Sequence, residues 1–175
     1  MTRFRLIHLI RDTGRIADPA PDPPLDRSGD ADGGRHATRG FVCPKTLRGS
    51  VHVRHVDAGS CNGCEIEVGQ AFGPVYDVDR YGVHLVASPR HADVLAVTGV
   101  VTHNMVTPLR RAVEATPRPR LVVAIGDCAC DGGEFTGAYG VAGAVGDVVD
   151  VDVLVPGCPP APDDIVAALR EISGR

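Results

Sequence analysis

The sequence predicts an α/β domain built round a doubly wound, mainly parallel sheet, and three observations lead there. Short apolar runs of strand character alternate with stretches whose apolar residues recur at helical spacing. One run, Leu121-Val122-Val123-Ala124-Ile125, is apolar throughout, as expected of a strand covered by helices on both faces. Cysteines follow three of the strand-like runs, and in an open parallel sheet those strand ends line one edge, where ligands bind.

Residues 1–46 read as a flexible amino-terminal arm and residues 47–175 as the folded domain. Between Arg11 and Gly40 the only large aliphatics are Ile16 and Leu25, too little apolar surface to offset the entropy of ordering. Ahead of it, Phe4, Leu6, Ile7, Leu9 and Ile10 form a short apolar patch, suited either to a disordered terminus or to docking on a partner or membrane surface. In the domain, residues 51–56 alternate apolar and polar, the pattern of a half-buried strand, and lead into Ser60-Cys61-Asn62-Gly63-Cys64-Glu65-Ile66-Glu67. Ile66, Val68, Ala71 and Phe72 are expected on the core face of a helix ended by Gly73-Pro74. Residues 83–86 and 92–97 are the next two strands. Thr107 is expected as an N-cap with Pro108 at the first helical position, and Leu109, Ala112 and Val113 as that helix's core face. After the strand at 121–125 comes a long, glycine-rich loop over 126–146, of a length that is usually functional. A strand at 151–155 and a helix buried through Ile165, Val166, Leu169 and Ile172, with Gly174 as C-cap, complete the domain. This order of elements is flavodoxin-like.

Composition narrows the function. With 43% hydrophobic and 23% charged residues the chain is ordinary for a globular domain, and its net charge of -4, without basic runs interleaved with aromatics, argues against nucleic acid as a partner. The opening eleven residues are too short and interrupted for a signal-peptide core, and no apolar run has the length of a membrane span, so the protein is expected in the cytoplasm. Six cysteines in that compartment favour ligation or redox chemistry over structural disulfides.

Cys61 and Cys64 lie two residues apart between a strand and a helix, so both thiolates can reach one centre. Cys128 and Cys158 follow the other two strands. A structural zinc site usually joins two short knuckles, and only one is present; a dithiol enzyme would leave Cys128 and Cys158 without a role. A 4Fe-4S cluster takes four thiolates at irregular spacing and often has a proline after its last cysteine, as in Cys158-Pro159. The pattern therefore favours one 4Fe-4S cluster at the carboxyl ends of the strands, with zinc and dithiol chemistry as the alternatives. For the third ligand Cys128 is preferred to Cys130, because Gly126 and Gly132-Gly133 let the backbone fold closely about it. Cys43 has no partner in the pattern.

These residues carry a resemblance. The runs Val56-Asp57-Ala58-Gly59-Ser60-Cys61-Asn62-Gly63-Cys64-Glu65-Ile66-Glu67, Ser88-Pro89-Arg90-His91-Ala92-Asp93, Thr98-Gly99-Val100-Val101-Thr102, Gly126-Asp127-Cys128-Ala129 with Gly132-Gly133, and Pro156-Gly157-Cys158-Pro159-Pro160 resemble the small subunits of complex-I-related nickel-iron hydrogenases of the formate hydrogenlyase type. One step further away, they are similar to the B-type, 20-kDa subunit of respiratory complex I. The resemblance implies that Cys61, Cys64, Cys128 and Cys158 bind one 4Fe-4S cluster, and that the chain is an electron-transfer subunit of a membrane-associated oxidoreductase. No residue is expected to perform acid-base or nucleophilic catalysis. The implied partners are a large subunit with a nickel-iron or quinone site, a ferredoxin-like cluster subunit and membrane subunits holding the assembly on the inner face of the cell membrane. Two departures stand out. Complex I subunits have adjacent cysteines where this chain has Cys-Asn-Gly-Cys, which sides with the hydrogenase branch, and the turn Asp127-Cys128-Ala129-Cys130-Asp131 is more acidic and has an extra cysteine. Glu65 and Glu67 read as acidic residues at a helix opening, Glu67 alternatively as a proton carrier beside the cluster. Arg90 reads as a salt-bridge partner of Asp93 or as positive charge near the cluster.

Overall fold

A computed structural model of the protein describes residues 47–175. The expected arm over 1–46, with Cys43, lies outside the described residues. Five strands form one parallel sheet: β1 (Val51–Asp57), β2 (Val83–Leu85), β3 (Val94–Thr98), β5 (Leu121–Ile125) and β7 (Val153–Val155), in the order β2-β1-β3-β5-β7. That order is the flavodoxin-like one the sequence predicts. A separate antiparallel pair joins β4 (Val101–Thr102) to β6 (Val141–Gly143). The helices are α1 (Gly63–Ala71), α2 (Val106–Ala115), the short α3 (Asp127–Asp131) and α4 (Pro162–Ser173).

Side-chain alternation along the strands sends residues to two cores, which is why every residue of β3 and β5 is buried. Val94, Ala96, Leu121, Val123 and Ile125 pack with Val68 and Ala71 of α1 and Ile165, Leu169 and Ile172 of α4. Val97, Val122 and Ala124 face the other way, onto Leu109 of α2, Ala129 of α3 and Val145. One rung of the sheet matters most: Asp57, Thr98, Ile125 and Val155 are successive register partners across β1, β3, β5 and β7. Each cysteine loop leaves the sheet just beyond it.

Several local expectations are corrected. Ile66 is 53% exposed, while Cys64, Val68 and Ala71 form the buried face of α1. The second helix starts at Val106 with Met105 as N-cap, since the Met105 N–H bonds back to the Thr102 carbonyl and turns the chain two residues early. Pro108 then sits third in the helix, where an N–H would lack an intrahelical partner anyway. The stretch 126–146 is not a plain loop: α3, two 3-10 turns and β6 lie within it, each too short to show a period in sequence. The last strand begins at Val153, because Asp152 accepts the Val122 N–H on its carboxylate and donates its own N–H to the Val122 carbonyl. Asp93 opens β3 in the same way against His52, so its carboxylate is taken by His52 and not by Arg90, which is exposed. Gly174 caps α4 in the left-handed conformation at φ 70°.

Candidate metal centre

Two acidic residues shape the loops that carry the thiols. Asp57, at the end of β1, accepts the Gly59 N–H at 2.8 Å and the Ser60 N–H at 2.7 Å, an Asx turn that folds the chain back at once. Burial would raise its carboxyl, but these hydrogen bonds and the Ser60 hydroxyl outweigh it and hold the pKa below the ordinary value. Asn62 then adopts a left-handed conformation at φ 75°, tolerated by its short polar side chain, and α1 begins. Cys61 is left exposed ahead of the helix and Cys64 is buried in its first turn. Glu65 lies in that first turn; Glu67, expected with it at the opening, is further along.

Asp127, opening α3, braces the other two loops. Its N–H donates to the Gly157 carbonyl at 2.9 Å and its carboxylate accepts the Gly157 N–H at 2.7 Å. Cys128 and Cys158 each come three residues beyond the paired rung residues Ile125 and Val155. This brace holds them side by side.

The thiols of Cys61, Cys64, Cys128 and Cys158 feel one another. Burial first, then Cys128, Cys61 and Cys158, pushes the Cys64 thiol up to about 11; burial, Cys158 and Cys61 also raise Cys128. Such a set is hard to deprotonate without a cation to offset the accumulated charge, so the donor chemistry fits a metal cluster. Among the described residues no group of three or more His, Cys, Asp or Glu could hold a single metal ion.

Glycines complete the cradle. A Cβ on Gly126, whose φ is 93°, would collide with the Cys64 sulfur, and one on Gly133 would come within 3.2 Å of the Cys128 sulfur. A Cβ on Gly99 would run into Ser60, so β3 meets the first cysteine loop backbone against backbone. Cys130 faces elsewhere. Its side chain packs on the opposite core from Cys64, 3.7 Å from the Ala124 carbonyl, and burial pushes its thiol up to about 12.

Sequence reasoning gave Asp57 and Gly99 no role of their own, and treated Asp127 only as part of an acidic turn. The Asp-Ala-Gly-Ser run was the available signal for the Asx turn. Glu65 influences His55, whose Nε2 lies 2.9 Å from the Thr98 hydroxyl; burial lowers its pKa against the pull of Glu65 and Asp57.

Among known proteins the chain has relatives in sequence and in fold. The chain is 45% identical over 118 residues to formate hydrogenlyase subunit 7 of Escherichia coli, a match covering 67% of this chain and 46% of that protein. It is 46% identical over 122 residues to a probable membrane-bound hydrogenase subunit of Pyrococcus furiosus, covering 70% and 73% respectively. Its fold matches a chain of the membrane-bound sulfane sulfur reductase, an archaeal respiratory membrane complex, with a TM-score of 0.63 and 29% identity over 74% of this chain and 73% of that one. Residues 61–172, the span from the first cysteine of the cradle to the last core residue of α4, match the family described as NADH ubiquinone oxidoreductase, 20 Kd subunit, and the chain belongs to that family.

Proposed function

We propose that the chain is the electron-transfer subunit of a complex-I-related, membrane-associated hydrogenase of the formate hydrogenlyase type, holding one 4Fe-4S cluster on Cys61, Cys64, Cys128 and Cys158. The observation that carries the reading is the convergence of these four thiols beyond one rung of the sheet, inside loops whose glycines leave room for nothing larger. Bound there, such a cluster would accept and release one electron at a time. The chain's own part is to fix four thiolates, exclude side chains from their approach and present the edge to a partner. Ile66, Phe135 and Tyr139, exposed in the segments next to the cysteines, give that edge apolar surface for a large subunit to cover. Among the described residues no helix is long and apolar enough to cross a membrane, so attachment would run through partner subunits.

The family also supports a second reading, a B-type subunit of a complex-I-like NADH:quinone oxidoreductase. Anaerobic purification of the assembled complex tests both. Four irons and four sulfides on this chain, a paramagnetic signal on reduction, and a large partner with two Cys-x-x-Cys pairs and hydrogen evolution are the expected outcome. A partner lacking those pairs shifts the assignment to the quinone reading, and a chain that holds zinc without visible absorbance overturns both.

A further inference from the structure

Towards the other end of the sheet, β1 and β2 set two histidines side by side. His52 and His84 are register partners on neighbouring parallel strands, with ring centroids 5.9 Å apart and side chains 45% and 46% exposed. His52 precedes the cysteine-side rung by five residues, about 16 Å along an extended strand, so the pair is distinct from the thiol cradle.

Each ring has one nitrogen committed to a carboxylate. His52 Nδ1 lies 3.3 Å from Asp93 Oδ2, the same oxygen that accepts the His52 backbone N–H at 2.8 Å. His84 Nδ1 lies 2.7 Å from Asp79 Oδ1. An ionised carboxylate can only accept, so the proton of each neutral imidazole sits on Nδ1 and the lone pair is left on Nε2. Among the described residues neither Nε2 has a hydrogen-bond partner. Histidines that bind metal are held in this way, one nitrogen donating to a carboxylate while the other faces the ion. The spacing agrees. Two imidazoles bound to one ion through Nε2 at about 2.1 Å place their centroids between about 5 and 6.4 Å apart as the angle between them opens.

We propose that His52 and His84 form a surface site for a divalent transition-metal ion of the zinc class, with Asp93 and Asp79 as the carboxylates that orient them. No third His, Cys, Asp or Glu among the described residues is placed to join them, so water fills the remaining positions. The two aspartates also supply the negative charge that a doubly charged ion needs beside neutral ligands. The site is an exchangeable one, open to a further donor from another chain. It depends on no reading of the cysteines.

The test is zinc titration of the full chain, isolated anaerobically, followed calorimetrically and by zinc X-ray absorption. The expected result is a zinc ion with nitrogen and oxygen neighbours at about 2.0 Å and imidazole scattering, besides any zinc that vacant thiols hold through sulfur at about 2.3 Å. His84→Gln should remove that ion and leave the circular dichroism unchanged. Asp79→Ala should keep the ligands and weaken binding by about 10 to 100-fold. Zinc bound only to sulfur at about 2.3 Å reports the thiols, and with no imidazole component overturns the proposal. So does uptake that His84→Gln leaves intact, or affinity that Asp79→Ala does not change.

Discussion

Asp127 and Gly157 hold each other from both sides, the aspartate N–H on the glycine carbonyl at 2.9 Å and the glycine N–H on the aspartate carboxylate at 2.7 Å. These two bonds tie the loop after β5 to the loop after β7, and so set Cys128 against Cys158. Asp127→Ala leaves the Gly157 N–H without its acceptor and should cost about 1–3 kcal/mol. Asp127→Asn keeps a side-chain oxygen in place and should retain most of the stability. Urea unfolding of both variants checks this; equal losses would mean that charge, and not the hydrogen bond, is what matters.

The cysteine variants divide by the side of the sheet they occupy. Serine at 61, 64, 128 or 158 should abolish iron binding and the paramagnetic signal. Cys130→Ser should leave both intact, because that thiol packs against the opposite core. Iron retained in Cys128→Ser and lost in Cys130→Ser would reverse the assignment.

Glycines in the cradle and out of it should behave oppositely. Gly126→Ala places a methyl on the Cys64 sulfur at a backbone angle that L-residues rarely adopt, and should prevent cluster assembly. Gly69 is inside α1 with nothing within 4 Å of the added atom, so Gly69→Ala should stabilise the fold by roughly 0.5–1 kcal/mol. Iron content and thermal unfolding separate the two effects.

Two groups near the first cysteine loop should make stability fall in acid. The Asp57 pKa is depressed in the folded chain, so its contribution is full above the unfolded carboxyl value of about 4 and is lost as the pH drops through the folded value. The His55 pKa is also lowered, so the folded chain takes up its proton later than the unfolded chain does. Its penalty is absent well above pH about 6.5 and grows as the pH falls below that towards the folded value. His55→Gln should flatten the upper part of the stability profile and Asp57→Asn the lower part. Profiles that are superimposable on wild type would refute the linkage.

What the sequence by itself determined is local. The apolar run at 121–125, the alternation at 51–56, the helical spacing of Ile165, Val166, Leu169 and Ile172 and the left-handed glycine after them all act within a few residues, and the elements form there. The strand order follows from packing those elements by general rules of handedness and coverage. The ends of elements were less legible: α2 begins two residues early and β7 two residues late, because Thr102 and Val122, distant along the chain or outside the helix, supply the decisive hydrogen bonds. Only the tertiary structure decided which cysteine faces which. Cys128 and Cys130 are two residues apart on a one-turn helix, and their fates differ because the sheet has two faces and the brace to Gly157 sets the turn. The pairing of His52 with His84 is likewise a matter of register between strands. Such relations join residues about thirty apart, and no local period in a sequence records them, since each is selected by the packing of the whole sheet.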